Sequence, residues 1–491
     1  MNYALCIVNY ELIKLTSATP FVYGLDFDGS IDLSIDYGEN PSIIGSNGAG
    51  KTKLAEIICG KVALKGGSIR YGFMPDGGTY VKGRVVKMGF ESAYTMADYN
   101  NMYYQQRFSA CENTFDAIEN KPMPTVKDHL DAVDGADKDY WISKLNLTPL
   151  FHKTLIMLSS GELRRFLIAS VLICKPDLVI FDNPFIGLDV DTKAQLNQLF
   201  SDIADRQQMI FIIPDIKEIP EISKTVIPVK SMRVLPKMSR ENFLADKDFQ
   251  QSLYPDEDLE ITIPTKEHSD LKPFDIAAQL NSVSIEYPSR TLFKNLSWTI
   301  HRGEKWALTG GNGSGKSTLL SLITADNPRA YNMDITLFDQ KRGTGESIWD
   351  IKKRIGYISA EMHLYFRENQ PCVKVVASGL FDTQGLFRVC HQEQYDKAFE
   401  IMRTFGIAHL AERPFLKTSD GEQRLVLLAR TLIKNPDLLI LDEPLHGLDA
   451  INKKRARNVI DFYCRQSGRT LIYVTHNFDE IPGNITERFS L

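Results

Sequence analysis

The 491-residue chain holds seven cysteines, at positions 6, 59, 111, 174, 372, 390 and 464, and no two of them form a CxxC pair. Odd in number and scattered, they give no zinc motif and no disulfide framework, and they fit a reducing compartment. Long apolar runs are also missing. One of the longest, Phe166 to Cys174, is interrupted by Ser170 and stopped by Lys175, well short of the roughly 20 residues a spanning helix needs. The opening stretch MNYALCIVNYELIKL has no basic segment leading into an apolar core and a small-residue cleavage site. The chain is therefore expected to begin at Met1 and stay in the cytoplasm, with any membrane association peripheral, on the inner face, and made through another polypeptide. Charge of one sign is absent too: 57 Lys and Arg against 62 Asp and Glu leave a net charge of −5. That balance offers no footprint for a polyanion, and no nucleic-acid partner is expected.

What is present is an ordinary soluble composition, 43% hydrophobic and 24% charged, in a chain too long for one core. A prior of about 150 residues per domain gives roughly three units, and an internal repeat supplies two of them. GSNGAGKT (45–52) and GGNGSGKS (310–317) both satisfy G-x-x-x-x-G-K-[ST], with Lys51 and Lys316 265 positions apart. Gly161 in LSSGE precedes Asp182 by 21 residues and Gly421 in TSDGE precedes Asp442 by 21, while Asp189 and Asp449 follow those acids by seven. Chance does not keep three such offsets in step.

The expected fold is α/β, with two P-loop domains at 1–222 and 276–491 separated by a linker at 223–275. The linker assignment rests on scattered prolines, no sustained period, and eleven acidic against eight basic residues over 221–275. Pro41 to Ile44 and Trp306 to Thr309 read as strand ends, and KLAEIICG and TLLSLITA as helix starts, the strand–loop–helix context the motif requires. Polar, patchily amphipathic stretches near 95–157 and 365–417 predict a small helical subdomain within each half.

A glycine loop ending at a helix N-terminus turns consecutive backbone N–H groups and a favourable dipole towards phosphate oxygens. The candidate phosphate-binding residues are Gly45, Ser46, Asn47, Gly48, Ala49, Gly50, Lys51, Thr52 and Lys53, and Gly310, Gly311, Asn312, Gly313, Ser314, Gly315, Lys316, Ser317 and Thr318. Lys51 and Lys316 add a point charge. Thr52 and Ser317 offer a hydroxyl to Mg²⁺, with Asp182 and Asp442 completing the metal site. The implied ligands are ATP and Mg²⁺.

After each acid the halves diverge. Glu443 is a carboxylate placed to accept a proton from an attacking water, whereas Asn183 can orient water but cannot take its proton. His476, after the strand LIYVT, is positioned to donate to a γ-phosphate or to hold that water; the matching position is Pro214, with no donor in side chain or backbone. LSSGE and TSDGE read most simply as serine helix caps, but their fixed spacing to the acids marks Ser159, Gly161, Ser419 and Gly421 as phosphate contacts.

Together these motifs resemble the ATP-binding-cassette ATPases over both repeats, leaving the linker unmatched. That resemblance implies a RecA-like core and helical subdomain in each half, and an intramolecular face-to-face pairing in which each ATP lies between the Walker motifs of one half and the signature of the other. Composite site two then combines the 310–317 loop, Asp442, Glu443 and His476 with Ser159 and Gly161. Composite site one combines the 45–52 loop, Asp182, Asn183 and Pro214 with TSDGE, where Thr418 and Asp420 stand for the family's leucine and glycine. These losses cluster in site one. Tyr287, 23 residues before Gly310, matches the adenine-stacking aromatic; in the first half Tyr10 and Tyr23 compete. The family's Q-loop glutamine is missing from both halves, which offer Ala360 and Glu361, and Glu91 and Ser92. Within the family, ITLFDQKRGTGESIWDIKKRIGYIS (335–359) is similar to the tandem ATPases associated with molybdate transport, also labelled photorepair proteins. The resemblance implies a separate transmembrane permease as partner. A soluble tandem ATPase acting on ribosomes, and a slow nucleotide-gated regulator, share the same nucleotide residues and stay open.

Overall fold

The computed structural model describes residues 11–21, 27–74, 78–89, 124–135, 137–158, 160–186, 188, 190–254, 260–263, 273–287, 290–311, 314–359, 362, 366, 369–383, 385–475 and 480–491. The apolar runs that end in Asp182 and Asp442 form strands Leu178–Asp182 and Leu438–Asp442, whose first four side chains are fully buried in both halves. Burial on both faces is the mark of a parallel sheet covered above and below. In the first half the parallel order runs Val85–Gly89, Leu178–Asp182, Gln208–Ile213, Ser42–Ile44, Thr225–Lys230. The second half repeats it as Ile355–Ile358, Leu438–Asp442, Thr470–Val474, Lys305–Thr309, Glu487–Ser490.

Each sheet separates two apolar clusters. On one face lie the phosphate-loop helix, Lys51–Ile58 or Lys316–Ile323, and an antiparallel sheet that the sequence reading did not anticipate. In the first half that sheet is Ile31–Asp36, Glu11–Pro20 and Leu64–Tyr71; in the second it is Arg290–His301, Ile276–Tyr287, Asp334–Leu337 and Gln340–Lys341. On the other face lie the signature helix, Ser160–Ile173 or Asp420–Leu432, and short helices from the expected helical insertions, among them Val126–Asp131 and Gln392–Thr404.

Much of the segment read as linker is built into the first half. Thr225–Lys230 pairs in parallel with Ser42–Ile44 directly behind the phosphate loop. The helices Arg240–Ala245 and Lys247–Leu253 then bury Phe243, Leu253 and Tyr254 in the first-half core. Tyr254 donates to the Pro214 carbonyl at 3.2 Å, tying this segment to the place where the second half carries His476. Farther on, Thr262 N–H donates to Thr404 Oγ1 at 3.1 Å, so the chain touches the second half's helical subdomain before its next strand begins. Among the described residues no helix is long and apolar enough to cross a membrane. Cys59, Cys174, Cys372, Cys390 and Cys464 are free thiols.

Candidate functional site

Both phosphate loops close in the same way. Gly50 (φ 108°) and Gly315 (φ 102°) cap their helices in the left-handed region, where a side chain would be strained, and no side chain takes the first helical N–H groups. The donors of each helix end are thus presented by the backbone alone. Lys51 Nζ folds back to donate to the Gly45 and Ser46 carbonyls at 2.8 Å, and Lys316 Nζ donates to those of Gly310 and Gly311 at 2.8 and 2.9 Å. Lys53 pairs with Glu56 at 2.8 Å, and the Thr318 carbonyl accepts from Ser321 Oγ at 2.6 Å. Asn312, Gly313, Ser159 and His476 lie outside the described residues, as do Tyr10, Tyr23, Glu91, Ser92, Asp189, Ala360, Glu361 and the Tyr287 side chain.

The strand ends that deliver the acids match in backbone φ and hydrogen bonding. Asn183 and Glu443 both have φ 52°, and their N–H groups donate to Ile212 O and Val474 O, each at 2.9 Å. Asparagine tolerates this left-handed conformation; a glutamate there is uncommon and carries strain. Around Glu443 the field is set partly by the other half. Arg164, on the first signature helix, is buried and interacts electrostatically with Glu443; its guanidinium donates to the Pro184 carbonyl. His446 Nδ1 is 3.6 Å from Glu443 Oε2. Burial, with Arg424 and Arg164 adding to it, holds this imidazole well below its ordinary pKa, so it is neutral and does not quench the glutamate.

The two halves meet at the first phosphate loop. Asn47 N–H donates to Asp449 Oδ2 at 2.6 Å, while the other oxygen of Asp449 caps the helix Ala450–Arg465 through Asn452 N–H at 2.8 Å. A Cβ at Gly421 would fall 1.7 Å from Asn47 Nδ2, an atom with no hydrogen-bond partner among the described residues. The second signature's glycine therefore packs directly against the Asn47 side chain of the first loop. Burial pushes Lys51 down to about 8, against the opposing pull of Asp449, Asp182 and Glu422, two of which belong to the second half. Lower on the interface Lys453 bridges Asp215 at 3.0 Å and Glu480 at 3.1 Å.

The departures in TSDGE are accommodated locally. Thr418 is buried and donates to the Phe415 carbonyl at 2.7 Å. Ser419 and Glu422 form a reciprocal capping box, the hydroxyl donating to Glu422 Oε2 at 2.9 Å. Asp420 is exposed in the first helical turn, where its charge suits the dipole. Sequence reasoning missed one residue of this site altogether. Lys87, on the strand Val85–Gly89, places Nζ 2.8 Å from Asp182 Oδ2. Burial opposes its charge, but the carboxylate more than offsets this, and Lys87 is held above its ordinary pKa. A lysine inside an otherwise apolar five-residue strand was the available signal.

The ABC transporter family model matches residues 29–186 and 293–446. The chain is 31% identical over 467 residues to the ABC transporter ATP-binding protein ModF of Escherichia coli (strain K12), covering 93% of this chain and 92% of that one. It is 27% identical over 469 residues to an uncharacterized ABC transporter ATP-binding protein of Schizosaccharomyces pombe, covering 92% and 91%. Among solved structures, ABCE1 in a model of ribosome-bound archaeal Pelota and ABCE1 aligns with a TM-score of 0.58 at 19% identity, over 94% of this chain and 74% of that one. RNase-L Inhibitor aligns with a TM-score of 0.51 at 18% identity, over 96% and 90%. At such identities these two likenesses speak for the fold alone. With two phosphate loops in their strand–loop–helix setting and a family match in each half, the chain belongs to the ABC transporter family as a tandem ATPase that carries both ATP-binding cassettes in one polypeptide.

Proposed function

We propose that this ATPase drives a separate membrane permease, of the molybdate type by family resemblance, and that one of its two composite sites turns over while the other retains nucleotide as a clamp. The contact from Asn47 N–H to Asp449 across the halves carries this reading, because it supports composite sites rather than one site per half. ATP binding draws the halves together, and Lys316 exchanges its loop carbonyls for phosphate oxygens. At site two Ser317 Oγ donates to Asp442 Oδ2 at 3.5 Å, a hydroxyl–carboxylate pair that fits Mg²⁺. When bound, that ion neutralises phosphate charge. Glu443 takes the proton of the attacking water, a role worth roughly 10²- to 10⁴-fold, and His476 orients the water or donates to the γ-phosphate. Ser159 and Gly161 present helix-end donors from the opposite half.

At site one Asn183 and Pro214 remove the base and the donor, and Asp420 places a negative charge where the opposite signature would meet a γ-phosphate. The site is thereby suited to holding nucleotide and not to breaking it down. The test is a pull-down from native membranes with the Glu443→Gln chain trapped in ATP. Recovery of a permease is expected. Recovery of ribosomes instead would assign the protein to the soluble translation-associated branch, and recovery of neither would favour a nucleotide-gated regulator.

A further inference from the structure

Thr52 and Asp182 repeat the hydroxyl and carboxylate of Ser317 and Asp442, yet the two pairs do not offer a cation the same place. At site one the Asp182 carboxylate already has a positive partner, Lys87 Nζ, at 2.8 Å, with the two side chains only 18% and 19% exposed. Lys87 stands opposite Ile180 in the sheet; the corresponding position in the second half, opposite Ile440, is Tyr357, which brings no positive charge. The second half's Asp420 also acts electrostatically on Lys87. The extra cation of one half and the extra acid of the other therefore belong to the same composite site. A divalent ion placed at Asp182 would have to displace a partly buried ammonium or share one carboxylate with it, and either costs charge–charge energy where solvent screens less than at an open surface. The residues present at site one do not fit Mg²⁺ as those at site two do.

We propose that composite site one takes its nucleoside triphosphate without a divalent cation, the Lys87 ammonium standing at the Asp182 carboxylate in the place of the metal. The proposal rests on the reading that site one retains nucleotide. An ammonium brings a single compact charge and three donors, and it lacks the Lewis acidity by which a metal polarises a phosphoryl oxygen. Such a site favours the bound triphosphate without favouring its hydrolysis. That is the behaviour of a clamp.

The test counts ligands on the full chain carrying Glu443→Gln, saturated with ATP and Mn²⁺ as a paramagnetic stand-in for Mg²⁺ and then freed of unbound ligand. Nucleotide is quantified by chromatography and Mn²⁺ by electron paramagnetic resonance. The expected result is two nucleotides and one Mn²⁺ per chain, with one nucleotide surviving a wash in EDTA. Two nucleotides with two Mn²⁺ overturn the inference and leave the clamp reading intact. One nucleotide with one Mn²⁺ overturns both. Adding Lys87→Met is expected to raise the count to two Mn²⁺; a count that stays at one overturns the role assigned to Lys87. Should that variant fail to fold, the ratio in the parent chain still decides.

Discussion

Asp182-Asn183 and Asp442-Glu443 end equivalent strands, share a φ of 52° at the second residue, and hang from equivalent backbone acceptors, Ile212 O and Val474 O. What separates them is the chemistry of one side chain and of the groups each meets. Glu443 faces a buried arginine from the other half and a neutral histidine. Asn183 leaves Oδ1 buried without a hydrogen-bond partner among the described residues, and its neighbour Asp182 is tied to Lys87. The first half shares the backbone scaffold of the second while the charges around its acid differ, and its loop packs against the opposite signature. Where asparagine stands for glutamate, the neighbouring carboxylate also has a different partner.

The sharpest way to break this comparison is to remove the base. Glu443→Gln is expected to lower phosphate release by roughly 10²- to 10⁴-fold, whereas Asn183→Ala changes it by less than about twofold. Equal losses from the two substitutions would show both sites hydrolysing. Gly421→Ala comes next, since its Cβ meets Asn47 Nδ2 at 1.7 Å. Overpacking of this kind costs about 1–3 kcal/mol, so nucleotide should leave site one roughly tenfold faster in a filter-binding chase, while the site-two release rate stays near that of the parent. Restoring a carboxylate is a smaller perturbation. Asn183→Glu should raise phosphate release by less than about twofold, because a general base without its donor and metal gains little of its usual factor. A full doubling of turnover would show that Pro214, Asp420 and Lys87 are incidental.

How much of this was legible beforehand follows from where the information lies. The phosphate loops, the acid-bearing strands and the signature helices are local, and each is written in a few adjacent residues. The strand Thr225–Lys230 was hidden because Pro228 breaks its apolar run, and a proline lacks the donor a ladder needs. It is tolerated where the neighbouring pairing is short, with Met238–Ser239 meeting only Val226 and Thr225. The antiparallel sheets went unread because Glu11–Pro20 has register shifts against both neighbours, which blur the period-two alternation. The contact from Asn47 to Asp449 spans 402 positions and the Lys87 to Asp182 pair joins two strands of one sheet. The first has no local signature, and the second showed only as a lysine within an otherwise apolar strand. The sheets place Val85 and Ile355 opposite Leu178 and Leu438, so Lys87 and Tyr357 hold equivalent places that no motif marks.

The smallest effect concerns how the halves are held rather than what they catalyse. Lys453 and Asp215 form a bridge across the interface with side chains 19% and 15% exposed. A pair this shielded is worth about 1 kcal/mol, somewhat more than a surface bridge. Asp215→Asn and Lys453→Met should each raise the ATP concentration for half-maximal closure, followed by energy transfer between dyes on the two halves, by about two- to fivefold. The double variant should go little further. Burial lowers the Lys453 pKa, but Glu480 and Asp215 together outweigh it and raise the ammonium to about 12, above its ordinary value. A lysine raised in this way contributes fully at pH values below the unfolded pKa and loses its contribution as pH climbs through the folded one. The coupling between the two substitutions should therefore be constant from neutral pH to about 10 and fall as pH approaches 12. A coupling that vanishes near neutrality would mean that the interface is held by the contacts around Asn47 and Gly421 alone.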